Sequence, residues 1–261
     1  MIYRFCAHTD PGLARENNED AFSFDESRGV AVLADGMGGY NAGEVASSMA
    51  ASIINAEMNR WLAEAGAAAT LQDIRRALEI CVGNANSAVY RAANSNAQYA
   101  GMGTTLVAGV FRDADLVLGH IGDSRCYRLR RGELAQITKD HSLLQEQIDA
   151  GLLTPAQAAL SVNKNLVTRA LGVDDAVLLE IHEHTTEAGD LYLMCSDGLS
   201  DMVKDAEIAA ILQLPLPPEQ RAKALIDTAN AHGGRDNITV LLVAVEAGPE
   251  KRGLMARLLG K

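Results

Sequence analysis

The sequence predicts an α+β fold in which antiparallel β-strands are covered by pairs of helices. Apolar residues recur at helical spacing through 43–64 and again through 71–94, so two long helices are expected early in the chain. From Thr104 the spacing changes to short apolar runs separated by tight turns, which predicts an antiparallel meander over residues 104–138.

The composition indicates a single packed domain. Of the 261 residues, 48% are hydrophobic and 22% are charged, and no stretch rich in Pro, Gly or Ser has the character of a linker. We predict one domain over residues 1–247 and a short basic tail over 248–261. The net charge of −11 disfavours nucleic acid and anionic membrane surfaces as partners, because both require a basic face.

Cysteine usage and hydropathy predict a cytoplasmic protein. Cys6, Cys81, Cys126 and Cys195 form no C-x-x-C pair and lack zinc-like spacing, so free thiols in a reducing compartment are expected. None begins a Cys-x5-Arg loop, which argues against a phosphatase with a cysteine nucleophile. The N-terminus lacks a signal-peptide pattern, and no run approaches the ~18 apolar residues of a membrane span.

The first acidic loop lies between strands predicted at 3–9 and 21–25. It carries Arg15, Glu19 and Asp20, so a cation and two carboxylates can be presented together. A solvated charge run is the alternative for this loop taken alone.

The stretch VAVLADGMGG, residues 30–39, predicts a buried strand that ends in Asp35. The glycines that follow, Gly36, Gly38 and Gly39, are expected to permit positive φ and to let carbonyl oxygens approach a ligand closely. Oxygen ligands suit hard cations such as Mg²⁺ and Mn²⁺. A tight turn with an Asp cap is the alternative for this stretch alone.

The second half of the chain repeats the pattern of an acid beside a strand. Asp123 follows one predicted strand, Asp197 follows another at 191–195, and Asp236 precedes the last strand at 238–245. An antiparallel sandwich brings many strand ends to one edge, so these acids are expected to converge with Asp20 and Asp35. Their mutual repulsion would then require bound cations, and an all-carboxylate set suits Mg²⁺ or Mn²⁺ better than zinc.

The same half carries a second predicted helix pair, at 206–212 and 220–232, and an insertion. Residues 141–172, with short helices at 141–150 and 155–160, are predicted to form a flap that faces the substrate.

The histidines are expected to be structural. His182 and His184 share one face of a strand predicted at 177–184, where a solvated face is the favoured interpretation over a metal pair. His120 is predicted to pack within a strand.

Seven motifs stand in the order found in the type 2C metal-dependent serine/threonine protein phosphatases, and the chain resembles the compact bacterial branch of that family over residues 4–245. The motifs are Arg15-x-x-Asn18-Glu19-Asp20, Asp35-Gly36-Met37-Gly38-Gly39, Gly122-Asp123-Ser124-Arg125, Asp140-His141-Ser142, Thr168-Arg169-Ala170-Leu171-Gly172, Ser196-Asp197-Gly198 and Arg235-Asp236-Asn237-Ile238-Thr239.

The resemblance implies a four-layer α/β/β/α sandwich, two central antiparallel sheets flanked by helix pairs, with two metal ions at one edge. Asp35 would bridge both ions. Asp197 and Asp236 would complete one of them, and the Gly36 carbonyl would bind the other.

The resemblance also assigns the remaining acids and the arginine. Glu19 and Asp20 would act at the metals directly or through water, and Arg15 would bind the phosphate. Asp123, with Asp197, resembles a third-metal site of bacterial members. The implied cofactor is Mn²⁺ or Mg²⁺, with two core ions and a third.

The reaction implied is hydrolysis of phosphoserine and phosphothreonine in proteins by a water between two cations about 4 Å apart, without a phosphoenzyme. Relatives often carry His near Met37 or Tyr40, so a general acid is missing there. Ser161 and Lys164 stand where His and Arg are common, which affects substrate preference. The expected partners are phosphoproteins of bacterial signalling, namely a serine/threonine kinase and its targets.

The sequence leaves two alternatives open. Asp113-Ala114-Asp115-Leu116-Val117 fits the D-x-D-x-V signature of haloacid-dehalogenase-like phosphatases, with Asp113 as nucleophile, although a strand follows at once as in a hairpin. The other is a pseudophosphatase that serves as a binding module, which the complete set of metal-bearing acids disfavours.

Overall fold

The computed structural model describes residues 1–39, 42–154, 157 and 166–248. This part of the chain contains eleven strands and six α-helices. The strands are β1 (Ile2–Asp10), β2 (Asp20–Asp25), β3 (Val30–Met37), β4 (Gly103–Thr104), β5 (Leu106–Arg112), β6 (Asp115–Ile121), β7 (Arg125–Arg130), β8 (Glu133–Gln136), β9 (Glu180–Thr185), β10 (Leu191–Cys195) and β11 (Ile238–Glu246). The helices are α1 (Ala42–Ala65), α2 (Leu71–Ser95), α3 (Leu143–Asp149), α4 (Asp197–Ser200), α5 (Asp205–Leu212) and α6 (Pro218–Ala231).

The strands form two antiparallel sheets. One has the order β1-β11-β10-β7-β8, and the other has the order β2-β3-β5-β6-β9 with the short β4 paired to β3. Helices α1 and α2 share an apolar core with the second sheet, and α5 and α6 share one with the first. A third core lies between the sheets. The predicted four-layer α/β/β/α architecture is therefore confirmed.

The central strands are apolar throughout because both of their faces are covered. On β3, Ala31 and Leu33 point into the core between the sheets, whereas Val30, Val32 and Ala34 pack under the long helices. This alternation is the two-residue period of a strand. A doubly covered strand therefore appears in the sequence as one continuous apolar run.

The long helix α2 begins with a recognisable signal. Thr70 caps it by accepting a hydrogen bond from the Asp73 N–H, while the Asp73 carboxylate accepts one from the Thr70 N–H. This reciprocal pair satisfies two backbone donors that the first helical turn leaves free. The buried face of α2 then repeats at helical spacing through Ile74, Leu78 and Cys81.

Three details differ from the sequence predictions. The meander predicted over 104–138 is wrong, because β5 and β6 belong to one sheet and β7 and β8 to the other; the chain crosses between sheets at 122–124. Strand β3 runs through Asp35 to Met37 instead of ending at the acid. Asp197 opens a single helical turn, not a loop.

Two predicted segments, the helix at 155–160 and the basic tail, lie outside the described residues apart from Gln157 and Gly248. Among the described helices, none combines the length and apolar character needed to cross a bilayer. All four cysteines are buried and unbridged in the described part of the chain.

Candidate metal centre

The strand pair β2–β3 places two acids face to face. Asp20, the first residue of β2, lies directly opposite Asp35 on β3. Like charges directly opposite each other on neighbouring strands destabilise a sheet. A pair retained in this position therefore needs a compensating positive charge.

The backbone of Asp35 is held by two consecutive threonines, the last residue of β4 and the one after it. The Asp35 N–H donates to Thr105 Oγ1 at 3.0 Å. Its carbonyl accepts from the Thr105 N–H at 2.8 Å and from the Thr104 hydroxyl at 2.8 Å. Because both threonines are buried, the acid sits on a rigid support.

Gly36 is required for close packing, not for positive φ as the sequence suggested. A Cβ on Gly36 would lie 2.1 Å from the Gly43 carbonyl oxygen and 2.6 Å from that of Glu19. The residue is extended and its N–H donates to the Glu19 carbonyl at 3.0 Å. The N-terminal turn of α1 can therefore approach β3 closely.

Asp197 follows β10, and the hydroxyl of the preceding residue, Ser196, joins the ends of β10, β2 and β11. Ser196 Oγ donates to Asp20 Oδ2 at 2.8 Å and accepts from the Thr239 N–H at 2.9 Å. Gly198 packs so tightly that a Cβ would lie 2.0 Å from the Asn237 carbonyl oxygen. These contacts bring the start of α4 against the start of β11 and the first residue of β2.

Asn237 organises the loop that carries the arginine. Its Oδ1 accepts from the Glu19 N–H at 2.8 Å, and its Nδ2 donates to the carbonyls of Pro11 and Asn17 at 3.0 and 2.9 Å. The neighbouring Asp236 accepts a 2.7 Å hydrogen bond from Arg15 Nη2. The guanidinium thus lies at the exposed rim of the acidic cluster.

Asp123 is buried where the chain crosses between the two sheets. The next residue, Ser124, shares a buried 2.7 Å hydrogen bond between its hydroxyl and Thr105 Oγ1. Thr105 therefore contacts both the Asp35 backbone and the Asp123 loop. This link fixes the position of the Asp123 segment relative to Asp35.

The acids perturb one another strongly. Burial raises the pKa of Asp35 well above its ordinary range, and the charges of Asp20, Asp197 and Asp123 raise it further. The pKa of Asp197 is raised in the same way, by burial and then by Asp123. Burial also raises the pKa of Asp20 to about 6 and that of Asp123 to about 6. The cluster is therefore destabilised when all its members are ionised.

The donor set fits hard divalent cations. The converging side chains, from Asp20, Asp35, Asp123, Asp197 and Asp236, offer oxygen ligands only. Asp20 Oδ1 is buried and has no hydrogen-bond partner among the described residues, which leaves a lone pair for a ligand. Oxygen-rich, negatively charged sites are those that Mg²⁺ and Mn²⁺ occupy.

Glu19 lies at the margin of this cluster. Its carboxylate accepts a hydrogen bond from the Gly43 N–H, near the start of α1. Burial raises the pKa of Glu19, and the charge of Arg15 opposes that rise. The side chain is thus directed to a helix N-terminus, where negative charge is favourable.

Asp201 is a further acid of this region, and it was not among the predicted site residues. Its charge raises the pKa of both Asp197 and Asp123, after the larger effect of burial on each. The available signal was spacing: Asp201 follows Asp197 by four residues, and its N–H donates to the Asp197 carbonyl at 2.8 Å. The one-turn helix α4, which the sequence did not predict, places the two on the same side.

Asp113 does not occupy a nucleophile position. It lies in the hairpin turn between β5 and β6, at positive φ of 55°, with its side chain exposed. A haloacid-dehalogenase-like nucleophile requires the end of a parallel strand, and both sheets are antiparallel in the described part of the chain. That alternative is wrong.

Fold and site together define a divalent-cation-dependent protein of the four-layer α/β/β/α class. The model of the family described as "Protein phosphatase 2C" matches residues 13–240, and the chain belongs to this family. The serine/threonine phosphatase stp of Listeria innocua is 37% identical over 238 residues, which cover 90% of this chain and 93% of the relative.

Solved structures agree with this assignment. The serine/threonine phosphatase PstP/Ppp of Mycobacterium tuberculosis superposes with a TM-score of 0.85 at 40% identity, covering 95% of this chain and 100% of that one. The catalytic domain of PstP in complex with two manganese ions has a TM-score of 0.81 at 39% identity, covering 94% and 99% of the two chains. The predicted family, fold and enzyme class are confirmed, while the individual residue roles stay predictions.

Proposed function

We propose that this chain hydrolyses phosphoserine and phosphothreonine in proteins, with Mn²⁺ or Mg²⁺ as cofactor. The observation that carries the proposal is the convergence of acids around Asp35, whose pKa is raised by burial and by the charges of Asp20, Asp197 and Asp123. Hydrolases of this family are the relatives that match along most of the chain. We also propose bacterial signalling, with a serine/threonine kinase and its targets as partners, and a cytoplasmic location in keeping with four unbridged thiols.

The proposed roles divide the acids between ions. Asp35 would hold two cations, Asp197 and Asp236 would complete one, and the Gly36 carbonyl would serve the other. Asp20 would support the same region with Oδ1, which has no hydrogen-bond partner among the described residues, and Glu19 would act through water because its carboxylate lies near α1. Asp123 and Asp197 would hold a third, weaker ion.

When bound, the cations would lower the pKa of a water between them and stabilise charge that develops on the phosphoryl oxygens. The protein holds the substrate beside them. Arg15, at the rim, would exchange part of its ion pair with Asp236 for two phosphate oxygens. Asp35 stays in place because Thr104 and Thr105 fix its backbone.

Proton delivery to the leaving serine oxygen has no histidine at Met37, and Tyr40 lies outside the described residues. We propose that a water beside Asp123 fills this role, because Asp123 is buried at the crossover and its charge acts on Asp197 within the acidic cluster.

The decisive experiment compares Asp35→Asn with Asp113→Asn. The chain should hydrolyse p-nitrophenyl phosphate and a phosphothreonine peptide only with Mn²⁺ or Mg²⁺, and the Asp35 variant should lose this activity. Asp113→Asn is the matched control, because Asn tolerates the positive φ of the turn and keeps its exposed position. Full turnover in EDTA, or loss of activity in the Asp113 variant alone, would refute the proposal.

A further inference from the structure

His141 makes two hydrogen bonds to a single residue of the crossover. Its backbone N–H donates to the Gly122 carbonyl at 2.9 Å, and the Gly122 N–H donates to His141 Nδ1 at 3.1 Å. Both residues are buried. Gly122 immediately precedes Asp123, so one histidine binds the backbone on which that acid is carried.

These contacts determine which ring nitrogen carries the proton. Nδ1 accepts from an N–H and is therefore unprotonated, which places the ring hydrogen on Nε2. Nε2 then donates to Glu180 Oε2 on β9 at 3.1 Å. Arg169 Nη1 also approaches Nε2, at a longer 3.4 Å. The ring is thus held from two opposite sides.

A neighbouring histidine holds the ring plane. His120 stacks on His141 with centroids 4.7 Å apart and an interplanar angle of 13°, and His120 Nε2 donates to the Lys139 carbonyl at 2.8 Å. Potential metal-ligating atoms of His120, His141 and Glu180 lie within 4.8 Å of one another. A metal is the poorer interpretation, because one His141 nitrogen faces an N–H and the other carries the hydrogen.

His141 also stands where the two ends of the predicted flap meet. Its carbonyl accepts from the Thr168 N–H at 2.8 Å, and the next residue, Ser142, forms a β-bridge with Val167. The Leu143 N–H donates to the Leu166 carbonyl at 2.9 Å. The chain entering the flap and the chain leaving it are therefore joined at this residue.

We infer that His141 is a positioning residue that ties both ends of the flap to the Asp123 segment through Gly122. Because the imidazole accepts the Gly122 N–H, displacement of the flap ends would displace the acid that follows Gly122. The inference rests on the proposed metal role of Asp123 for its effect on catalysis. The hydrogen-bonded link itself does not depend on that role.

Two amide variants separate the contributions of the two ring nitrogens of His141. In His141→Asn the amide oxygen can occupy the Nδ1 position and keep the Gly122 contact, while the Glu180 contact is lost. In His141→Gln the amide reaches the Nε2 position and the Gly122 N–H loses its partner. A lost buried hydrogen bond of this kind corresponds to about a fivefold to tenfold change.

The first readout is structural and uses the metal-free chain. Amide hydrogen exchange at Gly122 and Thr168 should be about fivefold to tenfold faster in His141→Gln than in wild type, and near wild type in His141→Asn. Nitrogen NMR frequencies of the wild-type ring should report hydrogen on Nε2. Equal exchange in both variants, or hydrogen on Nδ1, would overturn the inference.

The second readout is the Mn²⁺ concentration for half-maximal phosphopeptide hydrolysis. This concentration should be about fivefold to tenfold higher in His141→Gln than in wild type, and close to the wild-type value in His141→Asn. Calorimetry should show two tightly bound ions in both variants. If Asp123→Asn leaves Mn²⁺ dependence unchanged, the role of Asp123 fails and the exchange data alone decide the link. If metal-loaded wild-type protein retains a Zn²⁺ or Mn²⁺ ion that the His141→Gln variant does not retain, His141 is a metal ligand and the inference is overturned.

Discussion

Asp20 and Asp35 lie directly opposite each other on the antiparallel strands β2 and β3, and burial raises the pKa of both carboxyl groups. Without bound cations, these two carboxylates make the folded chain less stable than apolar residues at the same positions would. The acids are therefore placed for ligand binding at the expense of the metal-free fold.

Replacing Asp35 with Asn should separate activity from stability. Removal of a metal ligand should reduce turnover by about a thousandfold or more, because the cations generate the nucleophile. The metal-free variant should nevertheless melt higher than wild type at neutral pH, since a buried charge is gone. Calorimetry in EDTA and phosphopeptide kinetics in Mn²⁺ measure the two effects; a lower melting temperature would contradict the electrostatic account.

The metal-free chain should lose stability as pH rises from about 4 to about 6. The folded-state pKa values of Asp20 and Asp123 are raised to about 6, so the folded state binds more protons than the unfolded state in that window. Stability is then fully present below the unfolded pKa near 4 and lost through the folded pKa. A tenfold difference in proton affinity between the folded and unfolded states corresponds to about 1.4 kcal/mol, or roughly 3–6 °C in Tm.

Thermal unfolding in EDTA at pH 5.0 and pH 7.5 tests this pH dependence. Mn²⁺ should raise Tm more at the higher pH, where the ligands are ionised, and Asp123→Asn should flatten the metal-free profile. A metal-free Tm that climbs between these two pH values would rule out the raised pKa values as the dominant effect.

Arg15→Ala should mainly raise KM for phosphopeptides. The guanidinium lies 2.7 Å from Asp236 at the rim of the cluster, where it can bind phosphate oxygens in the ground state as well as the transition state. Loss of a charge-assisted pair corresponds to about a tenfold change. Arg15→Lys is the matched variant, because it keeps the charge but not the planar fork. An unchanged KM with a reduced kcat would argue against this role.

Asp123→Asn should preserve two tightly bound cations and lower kcat, with a higher Mn²⁺ requirement. The other acids of the cluster remain to hold the core ions, whereas the proposed third site loses its charge. Metal titration by calorimetry beside phosphopeptide kinetics distinguishes the two sites. Wild-type kcat at saturating Mn²⁺ would count against a third ion.

Thr105→Val should weaken the connection between Asp35 and the crossover. The hydroxyl accepts from the Asp35 N–H and bonds the Ser124 hydroxyl, so the isosteric change leaves buried groups without partners. The cost should be about 1–3 kcal/mol in the free energy of unfolding, with lower turnover. Thr105→Ser retains the hydroxyl and should recover most of both quantities in denaturant unfolding and kinetic assays.

The sequence by itself determined the local elements and the identity of the acids. The helical spacing of 43–64 and 71–94 predicted α1 and α2 to within one residue at each end, because one face of each helix must be apolar to be buried. The apolar run of β3 and the acid that follows it were predicted equally well, because a strand covered on both faces is apolar up to the position of the acid.

Tertiary structure alone decided how these elements share their contacts. Apolar alternation cannot say which sheet a strand joins when both sheets are covered on both faces, so the crossover at 122–124 was invisible in the sequence. Asn237 contacts Pro11 across 226 residues, and His141 meets Gly122 across the hairpin of β7 and β8, a contact that no local spacing encodes. Hydrogen bonds between distant segments depend on the packed arrangement of the whole chain, and here that arrangement converts separate acids into one charged cluster.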